Sequence, residues 1–248
     1  MVTVKSAHEI ELMRKANQIV RDTLELVGRE IKAGMTTAQV DKLVYDYITS
    51  CGAKPSFLGY EGYPASACVS INEEVVHGIP SPRRFIEEGD IVSVDVGSIY
   101  KGYNGDAART FMIGQVSEEK KKLVEVTRQS FFEGVKVLKD GCRLGDLGWA
   151  IQSYVESNGF SVVRALVGHG IGTDMHEDPS VPNYGTPGRG MRLKAGMTIA
   201  IEPMVNAGTF DVKVLSDDWT VVTRDGRPSA HYENTVVITQ DGCEILSL

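Results

Sequence analysis

Residues of the first half of this chain recur in the second at one fixed offset. Gly89-Asp90-Ile91-Val92-Ser93-Val94-Asp95 lies on Gly196-Met197-Thr198-Ile199-Ala200-Ile201-Glu202, 107 positions later (Asp95 to Glu202). The same offset lays Ile31-Lys32-Ala33-Gly34 on Leu138-Lys139-Asp140-Gly141, Val40 on Leu147, Tyr47 on Tyr154 and Gly52 on Gly159. It also lays Gly78 and Pro80 on Gly185 and Pro187. With 26 glycines in the chain any single match is weak, but an ungapped register through helical and strand patterns alike reads as duplication. The expectation is one domain built from two similar halves, residues 1–114 and 115–248, related by an approximate two-fold axis.

Each half reads as the same series of elements. Apolar residues at helical spacing run from about Ser6 to Ile31 and from Ser117 to Leu138, and only the first run opens on a full capping box, Ser6 with Glu9. Second helices are expected over Thr37 to Ser50 and Leu144 to Ser157, stopped near Gly52 and Gly159. Strand patterns follow: IVSVDVG and YNGDAARTFMIG form a hairpin turning across Ser98 to Asn104, while MTIAIEPMV and HYENTVVIT form the equivalent pair. The stretch between that second pair, Asn206 to Ala230, reads as a hairpin of its own. The fold class is therefore α+β, a curved antiparallel sheet covered by helices.

Composition narrows what such a fold can serve. A net charge of −7 disfavours a surface evolved to coat nucleic acid or anionic lipid. No run approaches the ~20 apolar residues of a membrane span, and the charged start MVTVKSAHEIELMRKANQIV is no signal peptide, so the cytoplasm is the expected compartment. Cys51, Cys68, Cys142 and Cys243 lack CxxC spacing, which argues against a zinc knuckle or a redox pair. Cys51, Cys142 and Cys243 read as reduced, partly buried thiols.

Carboxylates set in apolar strands need a physical reason, because burying an unpaired charge costs several kcal/mol. Asp95 ends the run Ile91-Val92-Ser93-Val94, Glu202 ends Ile199-Ala200-Ile201, Glu233 precedes Val236-Val237-Ile238, and Asp106 opens AARTFMI. Any one of them alone would pass for a solvated edge acid. Asp95 and Glu202, however, occupy equivalent places in the repeat, and bound cations make a convergence of four acids favourable. His169, between Gly168 and Gly170 in VGHGIGTDMHEDP, supplies an imidazole where the backbone can approach closely. One imidazole with four carboxylates suits two divalent ions such as Co, Mn, Fe or Zn rather than a structural zinc.

These residues, in the order Asp, Asp, His, Glu, Glu, with DVGSIYKGYNGDAARTF, GHGIG, IAIEPM and HYENTVVIT around them, closely resemble the type I methionine aminopeptidases over nearly the whole chain. The resemblance implies the pita-bread fold of that family and the hydrolytic removal of an N-terminal methionine that precedes a small residue. In that reaction hydroxide generated between the two metal ions attacks the scissile carbonyl. It also implies roles residue by residue. Asp95 would hold one metal with both oxygens, Asp106 and Glu233 would bridge the pair, and His169 with Glu202 would hold the other. Glu202 would also pass a proton to the departing amine, His77 would meet the scissile amide, and His176 the carbonyl as it becomes tetrahedral. Spacing alone would also allow His77 and His176 to be surface imidazoles, a reading the resemblance disfavours. The methionine pocket would be formed by Tyr60, Tyr63, Cys68 and Trp219, with Phe57 and Met175 at its edges, a setting that suits a thioether. The run FLGYEGYPASAC also reads as ordinary core aromatics. Met175 stands where many relatives carry an aromatic, and Phe57 where some carry cysteine.

The implied partners are peptide or nascent-protein N-termini, with transient ribosome association, a monomeric state and no nucleic-acid or membrane partner. Proline-directed aminopeptidases share the motifs around His169, Glu202 and Glu233 but carry a large amino-terminal domain, for which this reading leaves no room. Type II methionine aminopeptidases carry a helical insertion that the 31 positions from Glu202 to Glu233 are too few to hold. A non-catalytic relative would have lost ligands. A two-metal phosphoesterase would want basic residues or a glycine-rich helix start at the metals.

Overall fold

The structure, a computed structural model, describes residues 2–248. Helix α1 (Ala7–Glu30) begins as its sequence dictates. Ser6 Oγ accepts from the Glu9 N–H and the Glu9 carboxylate accepts from the Ser6 N–H, satisfying donors that a helix start leaves unpaired. Thr36 and Gln39 repeat the device at α2 (Thr37–Ser50). At α3 (Glu118–Val135) Ser117 accepts from the Lys120 N–H, but a lysine side chain accepts nothing in return, so the box stays half made. After α2 and after α4 (Leu144–Ser157), Gly52 and Gly159 adopt φ of 71° and 86°, the left-handed geometry that ends a helix.

Strands Ile91–Tyr100 and Tyr103–Met112 form a longer hairpin than the sequence reading expected. They pair without interruption to Tyr100↔Tyr103, so the turn is only Lys101-Gly102, both at positive φ. A two-residue turn of that kind matches the strand twist, and Gly102 makes it cheap. As a result Asp106 lies inside a strand instead of opening one. Helix α1 lies across this hairpin at Gly105, where a Cβ would come within 2.6 Å of the Asn17 nitrogen. The Asn17 side chain accepts from the Asp106 N–H at 3.2 Å, which ties helix to strand beside the acid.

In the second half, Thr198–Ile201 pairs with Asn234–Ile238, and Met204–Asn206 pairs with Ser229–His231, in a single continuous register. The ladder breaks only at Glu202-Pro203 and Tyr232-Glu233. Pro203 has no N–H to give, and the pair passes from a five-stranded sheet into a three-stranded one at that point. The expected single curved sheet is thus divided into four sheets of four, three, three and five strands among the described residues, all antiparallel where they pair. The excursion does form its own hairpin, Val212–Val214 with Val221–Thr223. Unforeseen is its further pairing with Glu74–Val76 of the first half, which carries Trp219 over to His77.

Helices cover the outer faces. Val20, Leu24, Val40, Val44 and Ile48 of α1 and α2 pack on Val69, Val92 and Val94, while Phe131, Leu147 and Ile151 of α3 and α4 pack on Ile199 and Val236. Between the halves the bonding is reciprocal. The Asp106 N–H donates to Thr235 Oγ1 (3.2 Å), which donates to the Asp106 carbonyl (2.9 Å). The His231 N–H donates to Thr110 Oγ1 (3.0 Å), which donates to the His231 carbonyl (2.8 Å). Midway, Ala108 and Glu233 exchange backbone bonds of 3.4 and 3.0 Å.

Candidate metal centre

The reciprocal seam brings the acids together. Asp95 faces Ala108 and Asp106 faces Gly97 in the first hairpin, so the two carboxylates share one face as diagonal neighbours. Glu202 and Glu233 stand opposite each other at the break in the second ladder, where Glu233 leaves its ladder partner to exchange backbone bonds with Ala108 across the seam. His169 faces Ala200, two residues before Glu202, and so shares its face. The glycines beside it are required by packing. A Cβ at Gly168 would come within 2.3 Å of the Ala200 carbonyl oxygen, and one at Gly170 within 2.2 Å of that of Asp178.

The electrostatics of this cluster call for cations. Asp106 and Glu233 are almost wholly buried, and Asp95 Oδ1, Asp106 Oδ1 and Glu233 Oε1 have no hydrogen-bond partner. Burial first, opposed by hydrogen bonds, holds the Asp95 carboxyl at about 7. Burial and then the neighbouring carboxylates push Asp106, Glu202 and Glu233 well above the usual range. Among the described residues the ion-pair partners of these acids are His169 and His231, both neutral. His169 Nδ1 sits 2.8 Å from the Gly170 carbonyl oxygen, to which it donates. Its Nε2 lone pair is thereby directed at Asp106 Oδ2 (3.7 Å) and Glu202 Oε1 (3.6 Å). Burial keeps this imidazole at about 4, hence neutral and able to ligate. Orphaned buried oxygens and a directed nitrogen fit a divalent metal centre. Asp106, His169 and Glu233 offer donor atoms within 4.8 Å of one another, as do Asp95, His231 and Glu233.

The sequence reading missed His231. Its Nε2 is buried without a partner, 3.9 Å from Glu233 Oε2 and 4.0 Å from Glu202 Oε2, and burial holds the ring at about 3. The available signal was its place two residues before Glu233 in a strand pattern, which puts both side chains on one face. Arg109, also unremarked, donates to the Glu233 carbonyl (2.6 Å), to Asn234 Oδ1 (2.7 Å) and to the Ser247 carbonyl (3.1 Å), anchoring the strand that bears Glu233.

Above the acids lies a cavity of about 150 Å³, lined by all thirteen residues singled out in the sequence, with Glu61 added at its mouth. Cys68 pairs directly with Asp95 across neighbouring strands, so the apolar wall adjoins the acids. Burial raises its thiol, keeping it protonated. Tyr63 is fixed by donating to the carbonyls of Ala67 (3.1 Å) and Gly78 (3.0 Å), and Trp219 meets its ring edge-on at 5.0 Å. Phe57 and Met175 also line the cavity and are buried. His77, at φ 60°, is presented by a left-handed kink. The next residue must be glycine there, since a Cβ on Gly78 would lie 2.4 Å from the Val69 carbonyl oxygen. Burial holds His77 at about 4 and lowers His176. The His176 ring lies 4.3 Å from that of His169, and its Nδ1 is 2.7 Å from the Tyr60 hydroxyl. All four cysteines are free; Cys142 and Cys243 are half-buried as expected, but Cys51 is exposed.

Antiparallel hairpins under helices, meeting at a carboxylate centre, define a metallopeptidase of the pita-bread fold. The model of metallopeptidase family M24 matches residues 11–240, and the chain belongs to that family. Within it the chain falls among the methionine aminopeptidases. It is 58% identical to the methionine aminopeptidase of Clostridium acetobutylicum, covering 100% of this chain and 99% of that one. The crystal structure of the methionine aminopeptidase from Thermotoga maritima superposes with a TM-score of 0.98 at 50% identity, covering 100% and 99% of the two chains. The prolidase from Pyrococcus furiosus shares the architecture at a TM-score of 0.79 and 25% identity, but only 65% of that chain is covered. As a member of a metallopeptidase family, the chain is a metal-dependent hydrolase. No described helix is long and apolar enough to cross a membrane.

Proposed function

We propose that this enzyme removes the amino-terminal methionine from peptides and nascent proteins, preferring a small second residue, as one catalytic domain made of two pseudo-symmetric halves, residues 1–114 and 115–248. The observation that carries the reading is the adjacency of two features. Buried carboxylate oxygens without partners form the floor of a cavity whose wall is Tyr60, Tyr63, Cys68 and Trp219. A void of about 150 Å³ is close to that which encloses one benzene-sized group. It therefore suits a single unbranched apolar side chain whose backbone lies over the acids.

Asp95, Asp106, His169, Glu202 and Glu233 would hold two divalent ions from among Co, Mn, Fe and Zn. Such ions, when bound, lower the pKa of water and polarise a carbonyl. The remaining work falls to side chains. The Asp95 side of the cavity receives the free amino terminus, so an acylated terminus is excluded. His176 donates to the carbonyl oxygen as charge develops there. His77 contacts the scissile amide, and Glu202 hands a proton to the leaving amine. Phe57 and Met175 complete the methionine pocket with Tyr63 and Trp219. The expected setting is the cytoplasm, with the chain acting as a monomer that visits the ribosome transiently.

The test is a parallel incubation of metal-loaded protein with Met-Ala-Ser, its N-acetylated form, Ala-Pro and phenyl phosphate. Free methionine released from the first alone is the expected result. Cleavage of Ala-Pro or of the phosphate in preference to Met-Ala-Ser would contradict it.

A further inference from the structure

The seam between the halves sets residue 231 in the place of residue 106. Asp106 trades two bonds with Thr235, and His231 trades the same two with Thr110, while Ala108 and Glu233 pair on the axis between them. Exchanging the halves therefore carries Asp106-Ala107-Ala108 onto His231-Tyr232-Glu233. A side chain that is a carboxylate facing the cluster in the first half is an imidazole in the second.

The surroundings of that imidazole are those of a ligand. Its Nε2 is sealed from solvent and has no hydrogen-bond partner. It stands 3.9 and 4.0 Å from oxygens of Glu233 and Glu202, close to the 3.6 and 3.7 Å that separate His169 Nε2 from its own carboxylates. Donors each bound at about 2.0–2.2 Å to one ion lie roughly 3 to 4 Å apart. A ring N–H bonded straight to a carboxylate would instead close to about 2.9 Å. Asp95 and Glu233 complete a three-atom group with His231, as Asp106 and Glu233 do with His169.

We propose that His231 is itself a metal ligand, binding through Nε2 on the Asp95–Glu233 side, so that each ion has one imidazole donor. The inference rests on the two-metal reading above. A second nitrogen among so many oxygens favours Fe, Co or Zn over harder ions.

The proton NMR spectrum of the cobalt(II)-loaded protein in water tests it. An imidazole bound to cobalt through one nitrogen gives a strongly shifted, exchangeable resonance from the N–H of the other, and ¹⁵N-histidine labelling identifies each such signal. The native protein is expected to show two, and His231→Gln, checked for folding by circular dichroism, only that of His169. A single imidazole signal in the native protein would overturn the proposal and leave the other ligands standing, whether or not the variant folds. Protein that takes up no cobalt and shows no shifted signal would overturn the metal reading along with it.

Discussion

The Tyr60 hydroxyl and His176 Nδ1 lie 2.7 Å apart, and this contact decides which ring nitrogen of His176 faces the cavity. Burial raises the phenol and lowers the imidazole, so the tyrosine keeps its proton and the histidine is neutral. We assign the shared proton to the tyrosine, which leaves His176 with Nε2–H free to donate to a carbonyl oxygen. Tyr60→Phe keeps the ring but releases that tautomer. A fall in kcat of about 1 kcal/mol, roughly fivefold, with little change in KM is expected. His176→Ala, which removes the donor itself, is expected to cost ~3 kcal/mol in turnover. A Tyr60→Phe enzyme that loses only KM would make the tyrosine a pocket wall and nothing more.

Metal-free protein should be destabilised by alkali across neutral pH. A carboxyl raised by the fold contributes stability that is fully present below its unfolded pKa, near 4, and is lost as pH rises through its folded value. For Asp95 that window runs from about 4 to about 7, and Asp106, Glu202 and Glu233 act in the same direction. Metal binding needs the ionised forms and releases their protons. Scanning calorimetry of metal-free protein is expected to give a lower Tm at pH 8 than at pH 7, a range above that in which the neutral, buried His77, His169 and His231 act in the opposite direction, with a larger rise on adding a divalent ion at pH 8. Equal increments at both pH values would contradict the electrostatics of the site.

Gly105 lies where α1 presses on the strand bearing Asp106. Gly105→Ala would place a methyl 2.6 Å from the Asn17 nitrogen and 2.7 Å from the Ala16 carbonyl carbon, both of them helix backbone. Overpacking of that kind costs about 1–3 kcal/mol. Because Asn17 also holds the Asp106 N–H, cobalt affinity should weaken together with urea stability. Unchanged stability in urea would mean that the approach of helix to strand is looser than described.

Much of this was legible in the residues, and what was not has physical causes. Periodicity and stopping glycines located α2 and α4 to the residue, because a 3.6-residue pattern ended by a glycine is a local signal. The equivalence of Asp95 and Glu202 was legible because each ends an apolar run at the same place in the repeat. The pairing of Val221–Thr223 with Glu74–Val76 was not, since strand partners from different halves leave no mark on either sequence. Nor was the division into separate sheets, although Pro203 beside Glu202 is its cause and stands in plain sight. His231 escaped notice because HYE alternates like any strand, and only the seam shows that its ring points where Asp106 does.

The claim on which the rest depends is that the buried acids are gathered for cations, and metal stoichiometry tests it most directly. Equilibrium dialysis of metal-free protein against Co(II) or Mn(II), followed by elemental analysis, is expected to find two ions per native chain. An Asp106→Asn, Glu233→Gln double variant, still folded, is expected to retain one at most, with its affinity reduced at least a hundredfold. Native protein that binds no divalent ion, or a double variant that binds both ions as tightly as the native chain, would contradict the account.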